Sequence, residues 1–243
     1  MKPLSSSLDT GMNTEFVVSA PPVVSLAVVG SSARFPVRRI YCVGRNYLEH
    51  IRELGNDEKE PPIFFTKPRD AIEQDGATIP YAAATENYHF ELELAVAMKS
   101  GGYNIAEQDA LEHVFGYAIA LDMTRRDLQR QLSAKSGPWD VAKAFDHSAP
   151  CGPVHPAGST GHPTAGRIQL KVNGEIKQDS DLAAMIWNVP QIISKLSAFF
   201  DLQPGDIILT GTPAGVGPIQ PGDVLVGMID GLGTLTTRIG AKL

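Results

Sequence analysis

One stretch, Phe90-Glu-Leu-Glu-Leu-Ala-Val-Ala-Met98, decides the fold of this 243-residue chain. Acidic and apolar residues alternate in its first half, and its second half is apolar throughout. This is the pattern of a β-strand that runs from a polar edge into a buried core. A second apolar run, Gly116-Tyr-Ala-Ile-Ala-Leu121, predicts another buried strand. The fold is therefore expected to be built around buried strands.

The rest of the chain adds strands and a few helices. Asn173 and Gly174 separate two alternating runs and predict a tight hairpin within residues 167–178. Helices are expected within residues 105–115 and 185–202, the second with Pro190 near its first turn. Short apolar runs predict further strands at residues 16–18, 23–29, 39–43, 63–66, 207–210, 223–229 and 234–239.

Capping residues predict two further helix starts. Asn46 has the character of an N-cap, with Glu49 three residues later and Gly55 just beyond the expected end. The spacing of Thr124 and Asp127 is that of a capping box. Three apolar residues of the first helix are expected to face the core: Tyr47, Ile51 and Leu54.

Composition limits the fold class. The chain has 23 Gly and 18 Pro, and both residues destabilise helix interiors. Because strands outnumber helices and no repeated strand–helix–strand unit is found, we predict a β-rich α+β fold with mainly antiparallel or mixed sheets. We divide the chain into a small N-terminal segment, residues 1–36, and a main domain, residues 37–243. Residues 1–11 are expected to form a leader, with Met12 as an alternative start.

Charge and cysteine content limit the partners. Lys and Arg number 21 against 27 Asp and Glu, and the net charge of -6 argues against nucleic-acid binding. Pro21 and Pro22 interrupt the apolar stretch 16–30, so neither a signal peptide nor a membrane span is expected. Two cysteines, Cys42 and Cys151, give no disulfide framework and fit a cytoplasmic protein.

Three carboxylates are candidate ligands for a metal ion. Glu91 and Glu93 point to the same face of their strand, where they repel each other unless a cation lies between them. Asp122 ends the second buried strand. Such a set suits a hard divalent cation such as Mg²⁺ or Mn²⁺. The alternative is that both glutamates line a solvent face and that Asp122 caps a turn.

Other polar residues are candidates for chemistry. His50 and Glu53 are three apart on a predicted helix, the spacing of a carboxylate that orients an imidazole base, or of an ordinary exposed pair. Lys143 lies among apolar residues and needs an anionic partner, which is expected to be Asp140, Asp146 or a bound anion. Arg126 and Gln129 share a helix face, which is a binding surface or simply a solvated face.

The loop 211–217 is rich in glycine but lacks the lysine of a nucleotide-binding P-loop. Its glycines, Gly211 among them, would let backbone N–H groups approach a ligand carboxylate. The alternative is a plain turn.

Several motifs, in order, resemble the fumarylacetoacetate hydrolase family over residues 36–243. Within that family the stretches around residues 35–41 and 145–150 are most similar to the bacterial fumarylpyruvate hydrolases of gentisate breakdown. The matching motifs are Tyr41-Cys-Val-Gly-Arg-Asn-Tyr47, His89-Phe-Glu-Leu-Glu-Leu94, Gly116-Tyr-Ala-Ile-Ala-Leu-Asp-Met-Thr-Arg-Arg-Asp-Leu-Gln129, Lys143-Ala-Phe-Asp146, Lys171-Val-Asn-Gly174 and Pro204-Gly-Asp-Ile-Ile-Leu-Thr-Gly-Thr-Pro-Ala-Gly-Val-Gly217.

The resemblance implies a mixed β-roll or sandwich with flanking helices, a catalytic domain over residues 37–243, and a homodimer. It implies one Mg²⁺ or Mn²⁺ per subunit on Glu91, Glu93 and Asp122. It also implies a His50–Glu53 base on a segment that closes over the ligand. The implied polar binders are Arg126, Gln129, Lys143 and Thr212.

The implied reaction is hydrolysis of a C–C bond in a 2,4-dioxo acid, with fumarylpyruvate giving fumarate and pyruvate. The alternatives are an acylpyruvate hydrolase, an oxaloacetate decarboxylase or isomerase of the same family, and a non-catalytic metal- or ligand-binding β module. Counting charges around a bound dicarboxylate leaves a need for one more cation or for several N–H donors at the fumaryl end. Arg45 and Arg69 are the candidates for that cation.

Overall fold

The structure is a computed structural model, and it describes residues 16–53 and 62–243. Residues 1–15, with Met12, and residues 54–61, with Leu54 and Gly55, lie outside that part, so the predictions made for them are not addressed. Five α-helices are present in the described residues: α1 Leu48–Glu53, α2 Arg126–Ala134, α3 Asp140–Lys143, α4 Ala157–Thr160 and α5 Val189–Ser197. Short 3-10 turns lie at Arg69–Ala71, Glu107–His113 and Leu182–Ala184.

Strands dominate the described chain. They are β1 Ser25–Ala27, β2 Arg34–Pro36, β3 Ile40–Gly44, β4 Ile63–Lys67, β5 Ile72–Gln74, β6 Thr78–Tyr81, β7 Tyr88–Phe90, β8 Leu92–Met98, β9 Val114–Leu121, β10 Thr124–Arg125, β11 Ala149–Cys151, β12 His155–Pro156, β13 Arg167–Val172, β14 Glu175–Asp181, β15 Ile207–Leu209, β16 Gly217–Pro218, β17 Val224–Ile229 and β18 Gly233–Lys242.

Two large sheets form the body of the protein. The first has the order β4-β3-β15-β8-β9-β11-β5, with β12 paired to β9 as its eighth strand. The second has the order β14-β13-β17-β18-β6. Most pairs are antiparallel, but β15 runs parallel to β3 and β11 parallel to β5 in the first sheet, and β18 runs parallel to β6 in the second. The predicted β-rich α+β fold with mixed sheets is therefore confirmed.

Side-chain size alternates along the central strand β8 and separates two cores. Leu92, Leu94 and Val96 belong to the larger core, which also contains apolar residues of β13, β17 and β18 from the second sheet. The small residues Ala95 and Ala97 face the opposite side, toward the smaller core. Because β-strand side chains alternate between faces, Glu91 and Glu93 lie on the small-residue face of the sheet.

The N-terminal segment packs on this small-residue face. Strands β1 and β2 pair with each other, and Leu26 and Phe35 are buried in the smaller core. Residues 16–18, predicted as a strand, form no strand pair, the backbone bends at Val17 and Val18, and their side chains are exposed. That prediction was wrong because an apolar run without a partner strand leaves its backbone donors and acceptors to water. The division of the chain at residue 36 stays a prediction.

The hairpin and the last helix agree well with their sequence signals. Asn173 and Gly174 both adopt positive φ values, 53° and 85°, as a two-residue turn between twisted antiparallel strands requires. Helix α5 begins after Asn188, whose side chain caps it together with Gln191. The predicted helix over residues 105–115 is instead a 3-10 turn that ends at His113, because Val114 already belongs to β9.

Both predicted capping residues have other roles. The Asn46 side chain is fully buried and bonds the backbone of Trp187 and Thr210, so it ties the start of α1 to two distant segments. Thr124 lies in the short strand β10, and its hydroxyl donates to the Asp122 carbonyl. Helix α2 begins two residues later, at Arg126. Asn46 thus forms tertiary hydrogen bonds in place of a cap, and Thr124 forms a local bond to a preceding carbonyl in place of a cap. Within the described residues no helix is long and apolar enough to cross a membrane.

Candidate active site

Three buried carboxylates meet at one end of the β8–β9 pair. Glu93 lies opposite Ala120 in the ladder, and just beyond it the Asp122 N–H donates to the Glu91 carbonyl at 2.8 Å. Glu91, Glu93 and Asp122 each offer an oxygen within 4.8 Å of the others, and all three are at least 95% buried. We call these three residues the acidic triad. The alternative of a solvent-facing pair of glutamates was wrong, because the same face continues into the smaller core.

Glu91 is neutralised by two cations. Arg126 donates to its Oε1, and the Lys143 Nζ donates to its Oε2 at 2.8 Å. Burial by itself raises the pKa of Glu91, but the charges of Lys143 and Arg126 outweigh it and hold that pKa far below its usual range. Glu91 is therefore ionised throughout the physiological pH range.

Asp122 lies between two buried lysines. The Lys143 Nζ donates to its Oδ2 at 2.7 Å, and the Lys67 Nζ lies 2.8 Å from its Oδ1. Lys67 is the last residue of β4, its side chain is fully buried, and it also donates to the carbonyls of Met123 and Lys143. Sequence reasoning missed Lys67. Its signal was the same as that of Asp122, a charged residue that ends an apolar strand.

Glu93 is the least compensated member of the acidic triad. Its described hydrogen bond comes from the Gly211 N–H, at 2.7 Å from Oε2. Burial, together with the negative charges of Asp122 and Glu91, raises the pKa of Glu93 well above its usual range. A carboxylate in this position requires a further positive charge if it is to stay ionised.

The backbone of the 211–217 loop supports the site's own carboxylates. Gly211 has φ 94°, and a Cβ there would lie 2.7 Å from the Asn46 Cβ, so glycine is required at this close approach. Its N–H donates to Glu93, and the Gly215 N–H donates to Glu53 at 3.1 Å. The expectation that N–H groups of this loop serve a ligand carboxylate is thus replaced, for these two donors, by contacts within the protein.

The donor set fits a hard divalent cation. Three carboxylate oxygens close together and buried are the ligands that Mg²⁺ and Mn²⁺ prefer, and among the described residues Glu93 forms no ion pair with a cation of its own. Lys67, Arg126 and Lys143 balance the three negative charges, so the acidic triad and its cations are together neutral. With all three carboxylates ionised, a bound divalent ion would give the site a charge of about +2.

The predicted contact between His50 and Glu53 is present. Their Nδ1 and Oε2 atoms are 3.0 Å apart, at the end of α1. His50 is buried, whereas about a third of the Glu53 side chain is exposed. Burial raises the pKa of Glu53, but the hydrogen bonds from His50 and from the Gly215 N–H outweigh it and leave the pKa below its ordinary value. The pair is thus an ionised carboxylate that orients a buried imidazole.

One cavity of about 280 Å³ contains nearly all of the predicted site residues. Gly211 reaches the site through its bond to Glu93, and Arg69 lines a different cavity. Arg130 was not predicted, although it follows Gln129 directly on α2. The predicted residues that line the cavity are Arg45, His50, Glu53, Glu91, Glu93, Asp122, Arg126, Gln129, Lys143 and Thr212.

Two of these cavity residues form hydrogen bonds with other groups of the protein. Arg126 donates to Gln129 as well as to Glu91. The Thr212 hydroxyl donates to the Leu92 carbonyl at 2.9 Å and accepts from Gln178 at 2.8 Å. Gln178, another residue that sequence reasoning missed, also accepts from the Leu92 N–H and so joins β14 to the start of β8.

This fold and this site define a β-rich, metal-dependent enzyme with a buried carboxylate centre. The chain belongs to the fumarylacetoacetate hydrolase family: the family model described as fumarylacetoacetate (FAA) hydrolase C-terminal matches residues 39–240. The resemblance derived from the sequence motifs is therefore confirmed.

Similar proteins have more than one named activity. The crystal structure of fumarylpyruvate hydrolase from Pseudomonas aeruginosa in complex with Mn²⁺ and pyruvate is 49% identical, with a TM-score of 0.91, over 94% of this chain and 100% of that chain. Human mitochondrial oxaloacetate tautomerase FAHD1 is 41% identical over 83% of this chain and 91% of its own length. Fumarylpyruvate hydrolase from a Ralstonia species is 41% identical over 74% of this chain and 94% of its own length.

Proposed function

We propose that the protein is a metal-dependent hydrolase that splits a C–C bond of a 2,4-dioxo acid, converting fumarylpyruvate to fumarate and pyruvate in gentisate breakdown. The observation that carries this proposal is that the acidic triad and the His50–Glu53 pair open into one cavity. The similarity to a fumarylpyruvate hydrolase in complex with Mn²⁺ and pyruvate supports it. We expect the enzyme to act as a cytoplasmic homodimer.

We assign Glu91, Glu93 and Asp122 as the residues that would hold one Mg²⁺ or Mn²⁺ ion per subunit. When bound, the ion would hold the 2-oxo acid end of the substrate and stabilise the negative charge of the departing pyruvate enolate. Side chains of the protein would carry out the proton transfers and stabilise the remaining charge.

His50 is the proposed general base. Its Nδ1 is engaged with Glu53, so its Nε2 is the nitrogen left to take a proton from the water that attacks the acyl carbonyl. Glu53 fixes the orientation of the imidazole and stabilises its charged form once the proton has been taken. Protonated His50 can then return that proton to the enolate carbon of the leaving pyruvate.

Lys143, Arg126 and Gln129 are proposed to stabilise developing charge. Burial alone lowers the pKa of Lys143, but Asp122 and Glu91 outweigh it and keep that pKa raised, so Lys143 acts as a fixed cation and not as a base. Arg126 and Gln129 lie side by side on α2 and offer N–H donors to the oxyanion or to the substrate carboxylate. Thr212, Gly211 and Arg45 are assigned to the substrate-binding wall.

A second candidate function is tautomerisation or decarboxylation of oxaloacetate. The 41% identity to the human oxaloacetate tautomerase favours it, since oxaloacetate also carries a 2-oxo acid end that the same site would chelate. These reactions need no attacking water. Loss of His50 should therefore impair decarboxylation less than it impairs hydrolysis of an acylpyruvate, whereas tautomerisation moves a proton from C3 and would still need the base.

The test is a side-by-side assay of the purified protein with Mn²⁺ or Mg²⁺ on fumarylpyruvate, acetylpyruvate, fumarylacetoacetate and oxaloacetate. We expect the highest kcat/KM on fumarylpyruvate. A preference for acetylpyruvate would indicate a general acylpyruvate hydrolase, and a preference for oxaloacetate would establish the second candidate. Absence of turnover on all four substrates would contradict both and favour a binding module.

A further inference from the structure

The cations near the acidic triad are already paired with carboxylates. Lys67 and Lys143 contact Asp122, and Arg126 contacts Glu91. If the 2-oxo acid end of the substrate occupies this part of the cavity, a second carboxylate at the far end of the acyl group needs a separate cation. Burying that carboxylate without a partner would cost several kcal/mol.

Arg130 is a cation in the same cavity without such a partner. Among the described residues it forms no ion pair with a carboxylate, whereas Arg45 is engaged in an interaction of its own. Arg69, the other cation predicted for this role, lines a separate cavity with Arg38 and Arg39 and is excluded.

Helix α2 carries Arg130 away from the acidic triad toward the mouth of the cavity. Arg126, Gln129 and Arg130 share one face because they are three and four residues apart. Arg126 is 1% exposed, Gln129 is partly buried and Arg130 is exposed. One helical turn moves the Arg130 backbone about 6 Å outward from that of Arg126.

Arg130 lines the same cavity as the acidic triad. The cavity wall also includes Phe65 and Trp139, whose rings pack edge to face with centroids 5.7 Å apart and offer apolar surface to an unsaturated acyl chain.

From this arrangement we infer that Arg130 selects substrates whose acyl group ends in a second carboxylate, by forming an ion pair with it at the mouth of the cavity. The inference rests on the proposed hydrolase function and adds the residue that sets its acyl preference. A guanidinium can bind a carboxylate with two parallel N–H donors, which suits recognition of a planar fumaryl end.

The test compares two substrates that differ in the far carboxylate. In Arg130→Gln, with Mn²⁺ present, kcat/KM for fumarylpyruvate should fall by about tenfold to a hundredfold, the usual scale for a hydrogen bond to a charged group. Most of this loss should come from KM. For acetylpyruvate, which has no second carboxylate, kcat/KM should stay within about twofold. Arg130→Lys should recover part of the loss, and Arg69→Gln is the matched control that should leave both substrates unchanged.

The outcomes separate this inference from the proposed function. If the wild-type protein hydrolyses both substrates but Arg130→Gln lowers both equally, or lowers neither, the selective role of Arg130 is overturned. If the wild-type protein hydrolyses neither substrate with metal present, the proposed function itself fails and the inference falls with it. A loss confined to fumarylpyruvate supports both.

Discussion

The acidic triad and the His50–Glu53 pair share one cavity but are supported in different ways. The triad extends from two paired central strands, β8 and β9, and two of its members contact buried cations. The pair lies on the six-residue helix α1, and Glu53 is about one-third exposed. Strand ladders fix backbone positions over long stretches, whereas a short helix depends on the contacts of its side chains.

This difference separates the two proposed tasks. A preorganised group of carboxylates suits ion binding, since ligands already in place require little reorganisation. The pair is joined to the same framework by the 211–217 loop, which donates to Glu93 from Gly211 and to Glu53 from Gly215. We therefore expect substitutions in the triad to change metal binding and substitutions in the pair to change the chemical step.

The largest effect is expected from Glu93→Gln. This change removes the carboxylate that forms no ion pair in the described part of the chain, so metal affinity should fall by more than about a hundredfold, beyond the loss typical of residues that only support a ligand. Metal-dependent turnover should fall to background. Isothermal titration calorimetry with Mn²⁺ and a turnover assay at saturating substrate measure the two effects.

The fold provides the control for Glu93→Gln. Because the pKa of Glu93 is raised by burial and by Asp122 and Glu91, its ionised form destabilises the metal-free protein at neutral pH. The metal-free variant should therefore melt no lower than the metal-free wild type, and Mn²⁺ should raise the Tm of the wild type only. Asp70→Asn, outside the cavity, is the matched control. Normal metal binding by Glu93→Gln would remove Glu93 from the ligand set.

The next largest effect is expected from His50→Ala. Loss of the base should lower kcat by about 10² to 10⁴, while the Kd for Mn²⁺ stays within about twofold because His50 is not among the assigned ligands. Calorimetry and steady-state kinetics on the same preparation give both values. A parallel loss of metal affinity would mean that the His50–Glu53 pair also supports metal binding and that the two groups do not act independently.

The sequence was sufficient to predict the parts of the molecule that depend on local pattern. Two-residue alternation predicted that Glu91 and Glu93 lie on one face of a strand. The position of Asp122, a charged residue at the end of an apolar strand, indicated that it belongs to the same site. The three-residue spacing along a helix predicted the contact between His50 and Glu53. The Asn173-Gly174 hairpin follows from backbone conformation alone.

Other features depend on contacts between distant segments, and local pattern could not reveal them. Lys67 is separated from Asp122 by 55 residues in the chain and reaches it only because β4 and β9 belong to one sheet. Asn46 was expected to cap α1, but it satisfies backbone groups of Trp187 and Thr210 instead. A residue's local preference for capping a helix is overridden where a buried backbone group of a distant segment needs a hydrogen-bond partner.

A smaller change in metal binding is expected from Lys67→Met. This substitution keeps an unbranched side chain that is one atom shorter and leaves Asp122 with Lys143 as its remaining cationic contact, so the carboxylate should be less well fixed. Metal affinity should fall by about tenfold to a hundredfold, the range seen when a supporting residue is lost. Removing one member of a buried ion pair also costs about 3–5 kcal/mol in stability, so the Tm should fall.

The control for Lys67→Met is Lys99→Met, at an exposed position. Circular dichroism verifies that the variant is folded before Mn²⁺ is titrated. An unchanged Kd in a folded Lys67→Met protein would limit Lys67 to a purely structural contribution.

The smallest effect concerns the pH dependence of stability through Glu53. Its pKa lies below the ordinary value of 4.5 because the hydrogen bonds from His50 and from the Gly215 N–H outweigh the opposing effect of burial. A carboxylate with a lowered pKa in the folded state stabilises the protein above its unfolded pKa, and that contribution is lost as pH falls through the folded value. Because Glu53 is partly exposed, the contribution should be at most about 1 kcal/mol.

The wild type should therefore unfold at a slightly higher urea concentration than Glu53→Gln at pH 7. The difference should persist near pH 4.5 and disappear only at lower pH. If it is already lost at pH 5.5, then Glu53 is not held in its ionised form, and α1 is even less firmly coupled to the triad than the comparison of the two regions implies.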